Sequence, residues 1–190
     1  MIYSLEGKIT RVGDTWIALE TAGIGFRVHV LTSFLKEAQE GKMARLVCFM
    51  QAESWILYGF AKEQELMLFE LLNTVSGIGP KIAAKIMNGA PVERLIALIV
   101  SEHKDQFAAQ AGVSTKIASK IILDVKEKAR KTFGEKSLAN AGLMELEGIL
   151  SELGYGRKDI ESIIPHITLD ITTEEQVRMA LKLLSAQKRK

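Results

Sequence analysis

The chain has 190 residues, 47% of them hydrophobic and 25% charged, which is enough apolar material for one large or two to three small packed domains. Lys and Arg number 25 against 23 Asp and Glu; a net charge of +2 excludes a strongly basic, histone-like nucleic-acid binder but leaves a local basic stripe open. The single cysteine, Cys48, excludes an internal disulfide framework and any multi-cysteine metal site, and its apolar neighbours Val47 and Phe49 mark it as a small buried hydrophobe. The N-terminus has neither a basic nor an apolar signal region, and the apolar run Leu95–Val100 is far short of the ~20 residues of a membrane span. A soluble, cytoplasmic protein is expected.

Residues 1–62 read as strands. Thr15–Glu20 and Phe26–Val30 are rich in β-branched and aromatic residues, with Gly13-Asp14 and Gly23-Ile24-Gly25 as turns. Arg45–Met50 and Trp55–Tyr58 form a second pair, with the hairpin tip at 51–54 and a short helix over Thr32–Glu40 before it. Five strands and one inserted helix in this length suit a small, partly open OB-like β-barrel. The period then changes. Leu66, Phe69, Leu71 and Leu72 recur at helical spacing, and residues 63–132 read as helix after helix. Residues 133–141 lack periodicity and form a linker that spans at most ~30 Å. Residues 142–190 carry three helical patterns: Leu143–Leu153, Lys158–Ile164, and a third from Thr172 or Thr173 to about Leu184. The predicted class is therefore a multidomain β + α protein: an OB-like barrel, a central α domain and a C-terminal three-helix bundle.

A duplication lies in the central unit. Gly77-Ile78-Gly79-Pro80-Lys81-Ile82-Ala83-Ala84-Lys85-Ile86 aligns with Gly112-Val113-Ser114-Thr115-Lys116-Ile117-Ala118-Ser119-Lys120-Ile121 at six of ten positions, 35 residues apart. Each copy predicts a helix, a tight glycine turn and a second helix. Amides at the start of that second helix have no intrahelical acceptor, and the helix dipole adds positive character there. Such an end accepts a phosphate without any base contact. Lys81 and Lys85, like Lys116 and Lys120, are four residues apart and so share one helix face beside it. Two copies could grip two phosphates of a duplex across the minor groove, giving sequence-independent, salt-sensitive binding. A turn between core helices with no ligand also uses glycine; the duplication and the four aligned lysines favour the phosphate reading. A dinucleotide fold is excluded because a helix, not a strand, precedes the glycines.

The string Val75-Ser76-Gly77-Ile78-Gly79-Pro80-Lys81 resembles the first helix-hairpin-helix of the RuvA family, the Holliday-junction-binding subunits of the bacterial branch-migration machine. Leu57-Tyr58-Gly59-Phe60 and Leu153-Gly154-Tyr155 are similar to strings at matching places in that family. The likeness covers all three units in order. It implies a tandem helix-hairpin-helix domain, a homotetramer or two stacked tetramers holding four-way junction DNA, and a role in DNA recombination and repair. It implies that Gly77, Ile78, Gly79, Lys81 and Lys85 of the first hairpin, and Gly112, Ser114, Lys116 and Lys120 of the second, bind DNA. It implies a RuvB-type hexameric ATPase as partner, docked through Leu150, Leu153 and Tyr155, and a RuvC-type resolvase alongside. In a bundle this small, leucines at helical spacing are equally core residues.

Two departures from the family pattern stand out. Ser114 and Thr115 replace a glycine and a basic residue, so weaker binding by the second hairpin is expected, with strain at Ser114 if its φ is positive. The family's pair of acids at the barrel hairpin is here Ala52 and Glu53, leaving Glu53 as a lone junction-centre pin or simply a polar turn residue. No cofactor or metal is expected. Neither Gly7-Lys8 nor Gly41-Lys42 belongs to a Walker A motif, so ATP hydrolysis is not expected of this chain. His29, His103 and His166 are scattered and read as structural or solvated. The alternative function is a DNA-binding accessory domain of a repair nuclease or glycosylase; Asp124, the one acid soon after a hairpin, sits in a Lys-rich helix where a surface ion pair explains it. A third reading is a protein-interaction adaptor built on the tail alone.

Overall fold

The computed structural model describes residues 2–51, 54–134, 146–167 and 173–187. Five strands close into a barrel in the order β1-β2-β3-β5-β4: β1 (Ser4–Val12), β2 (Trp16–Thr21), β3 (Ile24–Val30), β4 (Met43–Gln51) and β5 (Ile56–Phe60). All neighbouring pairs are antiparallel except β3 with β5. Inward positions alternate along β1 and β2, and Leu5, Ile9, Ile17, Leu19, Val28, Leu46, Cys48 and Leu57 fill the interior. The inserted helix α1 is shorter than its pattern predicts, Thr32–Leu35 rather than reaching Glu40. Beyond Leu35 the chain continues in turns, with Ala38 N bonded to Phe34 O and Gly41, φ +87°, leading it into β4.

Helices α2 (Glu63–Asn73), α3 (Pro80–Met87), α4 (Val92–Val100), α5 (Lys104–Ala111) and α6 (Thr115–Phe133) follow. The apolar run that begins α4's second half explains itself: every residue from Leu95 to Val100 is buried, because α4 packs against α2, α5 and α6. No helix among the described residues is long and apolar enough to cross a membrane. Helix α6 runs through Phe133 and ends at Gly134, one residue into the stretch expected as linker.

The helical core does not stop at the barrel. It takes in Leu31 and Phe60, and Val47, Phe49 and Tyr58 pack against it. Phe69 of α2 is the joint: its ring lies 5.2, 5.1 and 4.9 Å from those of Phe49, Tyr58 and Phe60. A hydrogen bond of 2.7 Å from Tyr3 Oη to Glu63 Oε1 adds a polar tie, and that bond, with Glu63's charge, raises the phenol's pKa. The tail has its own core, built from Leu146, Leu150, Ile160, Ile163, Ile167, Ala180 and Leu184 on α7 (residues 146–152), α8 (Arg157–Ile163), a 3-10 turn (Ile164–His166) and α9 (Thr173–Gln187).

Candidate nucleic-acid interface

The two aligned turns occur where the repeat places them, between α2 and α3 and between α5 and α6. They are not the same turn. In the first, Ile78 N donates to Val75 O at 2.9 Å, and Gly77 has φ +88°, the positive value that the third position of a type II turn demands. In the second, Gly112 has φ +63° and caps α5, and Val113 N donates to Ala108 O at 3.1 Å. Both turns then pin themselves down with their next residue: Ile78 is buried, and Val113 packs against the same core. Ile78, grouped with the DNA-binding residues by resemblance, is therefore placed with its side chain in the core and its amide already bonded. It anchors the turn rather than reaching a phosphate.

The residues that follow are open. Gly79 and Ser114 cap α3 and α6 in extended conformations, φ −91° and −69°. The strain anticipated for Ser114 is absent, because the left-handed position in each copy is the first glycine, not the second residue after it. Any side chain tolerates the backbone of Ser114, and its Oγ accepts from Ile117 N at 3.4 Å. Among the described residues, the amides of Gly79 and Lys81 have no acceptor, nor do those of Ser114, Thr115 and Lys116. Pro80 has no amide to offer and suits the first helical position. Gly77, Gly79, Lys81 and Lys85 are all exposed, as are Gly112, Ser114, Lys116 and Lys120.

The lysines divide in use. Lys120 Nζ donates to Ser76 O, the carbonyl beside Gly77, at 2.5 Å. Lys81 and Lys85 instead line a cleft of about 580 Å³ between α3 and the barrel, with Thr15, His29, Ile56, Tyr58 and Asn88 among the other walls. His29 and Tyr58 lie side by side there, ring centres 5.7 Å apart, and burial raises the Tyr58 phenol's pKa. Packing between α3 and α5 sets the distance between the hairpins. Gly89 lets the chain after α3 touch α5: a Cβ there would sit 2.1 Å from Gln110 O.

The tail candidates separate cleanly. Leu150 is fully buried in the bundle core, so it holds the tail together and offers no docking surface. Leu153 is 56% exposed at the end of α7, where Gly154 turns the chain with φ +86°, and Tyr155 is half-buried with its amide on Leu150 O at 3.1 Å. Ala52 and Glu53, and with them the acidic-pin reading, lie outside the described residues, as do 135–141 of the linker. Asp124 is exposed, and no ion pair to it forms among the described residues, contrary to the surface pair expected. Near it, Lys126 and Arg130 instead reach Glu102, at 3.0 and 3.9 Å.

Sequence reasoning missed three features. The Ser76 carbonyl has no signature in residue type. Ile82 and Ile117, each just after the leading lysine of its copy, are 41% and 39% exposed, a matched pair the alignment could have flagged. Trp55, at the foot of β5, is 81% exposed with φ +56°, a conformation that costs a bulky residue ~1–2 kcal/mol.

Comparison with known proteins bears on this geometry. Residues 1–59 match the RuvA N-terminal domain and residues 69–127 a SAM-like helix-hairpin-helix tandem, the latter spanning both turns. A protein of Caldanaerobacter subterraneus subsp. tengcongensis is 31% identical, with 97% of this chain and 100% of that one covered; one of Ruminiclostridium cellulolyticum is 30% identical with the same coverage. A third, of Dehalococcoides mccartyi, is 30% identical over 95% of this chain and 97% of its own. All three are named Holliday junction branch migration complex subunit RuvA. With a closed five-stranded barrel, a tandem of helix-hairpin-helix turns and relatives matched from end to end, this chain belongs to the RuvA family.

Proposed function

We propose that this protein binds four-way DNA junctions through the phosphates of their arms, without reading base sequence, and presents them to a motor ATPase. The observation that carries this reading is the pair of hairpins, each ending in unbonded amides beside exposed lysines: Gly79 and Lys81 in one, Ser114, Thr115 and Lys116 in the other. A phosphate oxygen accepts from these amides, while Lys81 or Lys116 supplies charge beside it. In the first hairpin Gly79 keeps the approach to these amides free of a side chain, while Gly77 and Gly112 supply the left-handed turn before each open end. Neither element contacts a base, so affinity follows backbone charge and falls with salt.

Selectivity for the crossover then comes from assembly. Four copies around a fourfold axis, or two such rings, would present eight hairpins per ring to four arms, an arrangement a linear duplex cannot fill. In this reading residues 1–62 form the centre, 63–132 the arms' cradle, 133–141 a tether and 142–190 the dock for a RuvB-type hexameric ATPase, with a RuvC-type resolvase on an open face. The chain itself is the non-catalytic subunit. Leu153 and Tyr155 remain as docking residues.

Competition binding with native mass measurement tests the proposal. A four-way junction should outcompete a linear duplex of equal length by at least ~100-fold, and the bound species should contain four or eight copies. Equal affinity for the two DNAs would favour a general accessory DNA-binding role in repair instead.

A further inference from the structure

We propose that Trp55 is a base-stacking residue, holding an unstacked base of the DNA strand that passes the barrel end of the cleft bounded by Lys81 and Lys85. This rests on the reading of the protein as a junction binder. Three observations carry it. Trp55 is the most exposed large apolar residue described, at 81%, although its indole is the largest side chain available for burial. The molecule's other tryptophan, Trp16, is by contrast half-buried, with Arg27 stacked on it at 4.6 Å. Trp55 also holds a left-handed backbone, φ +56°, where glycine or asparagine would be unstrained. An exposed indole on a strained backbone gains nothing for the fold of this chain, which points to an external partner.

The surroundings identify that partner as nucleic acid. The next residue, Ile56, lines the cleft whose opposite wall carries Lys81 and Lys85. Trp55 is not itself a wall of that cleft, but consecutive Cα atoms are ~3.8 Å apart, so its backbone stands at the cleft's edge with the indole open to solvent. A DNA backbone drawn to those two ammonium groups passes Ile56 and the residue before it. An indole beside such a track offers a flat π surface to any base that has left its stack, whatever its identity. Bases in an intact duplex are already stacked and present only their edges. The site therefore selects strands that part from a duplex, as strands do at a crossover.

Fluorescence on the full-length protein tests this. Trp16→Phe leaves Trp55 as the sole indole. Adding junction DNA should quench its emission strongly, while linear duplex, even at saturation by gel shift, should not. Trp55→Gly, which also relieves the backbone, should keep or raise the melting temperature, weaken junction binding roughly tenfold and leave duplex binding within about twofold. Trp55→Phe should recover part of the loss. Junction binding by wild type and Trp55→Gly with equal affinity, or emission unchanged by junction, overturns the stacking role alone. Emission that changes on self-assembly without DNA assigns Trp55 to a protein contact and also overturns it. Failure of the wild type to prefer junctions at all overturns both this role and the function on which it rests.

Discussion

Lys120 Nζ lies 2.5 Å from the main-chain oxygen of Ser76, so the second hairpin's helix holds the first hairpin's turn by its backbone. In the type II turn around Gly77, the Ser76 carbonyl takes no part in the turn's own hydrogen bond and is left for an outside donor. Lys85, the counterpart of Lys120 in the other copy, faces the cleft instead. The duplicated sequence thus folds into an asymmetric pair in which one lysine is structural and the other is available to a ligand.

Replacing these lysines one at a time should expose that division. Lys120→Gln should lower unfolding free energy by about 1 kcal/mol, because a charged hydrogen bond to a backbone oxygen is lost at an exposed site. Lys85→Gln should stay within ~0.5 kcal/mol of wild type. Lys81→Gln should instead reduce the slope of log affinity against log salt by about 0.9, the share of one phosphate contact. Urea unfolding and salt titration of junction binding measure the two effects separately.

The two glycines of the first hairpin should fail in opposite ways. Gly77 has φ +88°, so Gly77→Ala should destabilise the fold by about 1–2 kcal/mol. Gly79 has φ −91° and nothing within 4 Å of a Cβ built on it, so Gly79→Ala should leave the melting temperature unchanged. That same Cβ occupies the space through which a phosphate reaches the Gly79 and Lys81 amides, and junction affinity should drop about tenfold, near 1.4 kcal/mol. Thermal melts beside gel shifts on both variants check the contrast; a Gly79→Ala protein that binds normally would contradict amide-mediated phosphate contact.

In the tail, burial separates packing from docking. Leu150→Ala should cost about 2–5 kcal/mol of the bundle's stability, since Leu150 is fully buried. Leu153→Asp should leave the bundle's melting unaltered and abolish stimulation of the partner ATPase, with junction binding retained. Hydrogen exchange on α7 and a coupled ATPase assay distinguish the outcomes. Normal stimulation by Leu153→Asp would move the dock elsewhere on the tail.

Cys48 makes the barrel sensitive to alkali. Burial pushes its thiol up to about 11 from an ordinary 9.0, because the apolar interior disfavours the thiolate. The folded state thus keeps a proton that the unfolded chain gives up near 9. The stability tied to this group is fully present below pH 9 and is lost as pH rises towards 11. Wild type should lose more stability than Cys48→Ala between pH 8 and 10.5 in urea titrations. At pH 8 the native thiol should react with iodoacetamide about a hundredfold more slowly than a free cysteine.

Periodicity and punctuation in the sequence were sufficient for the element types, the five strands, the 35-residue duplication and the open helix ends at Lys81 and Lys116, because each depends on neighbours within a few positions along the chain. Other features needed the tertiary structure. The same aligned glycines make a type II turn at Gly77 and a helix cap at Gly112, since what precedes them packs differently. Whether Ile78 touches DNA or the core, whether Leu150 or Leu153 is displayed, and where Lys120 sends its ammonium all depend on segments 30 or more residues away or on the opposite side of a small core. Phe69 joins helices to barrel only because the β4 and β5 aromatics meet it there. Local composition records what a residue prefers; the packing of distant segments decides which preference is satisfied and which, as at Trp55, is left facing outward.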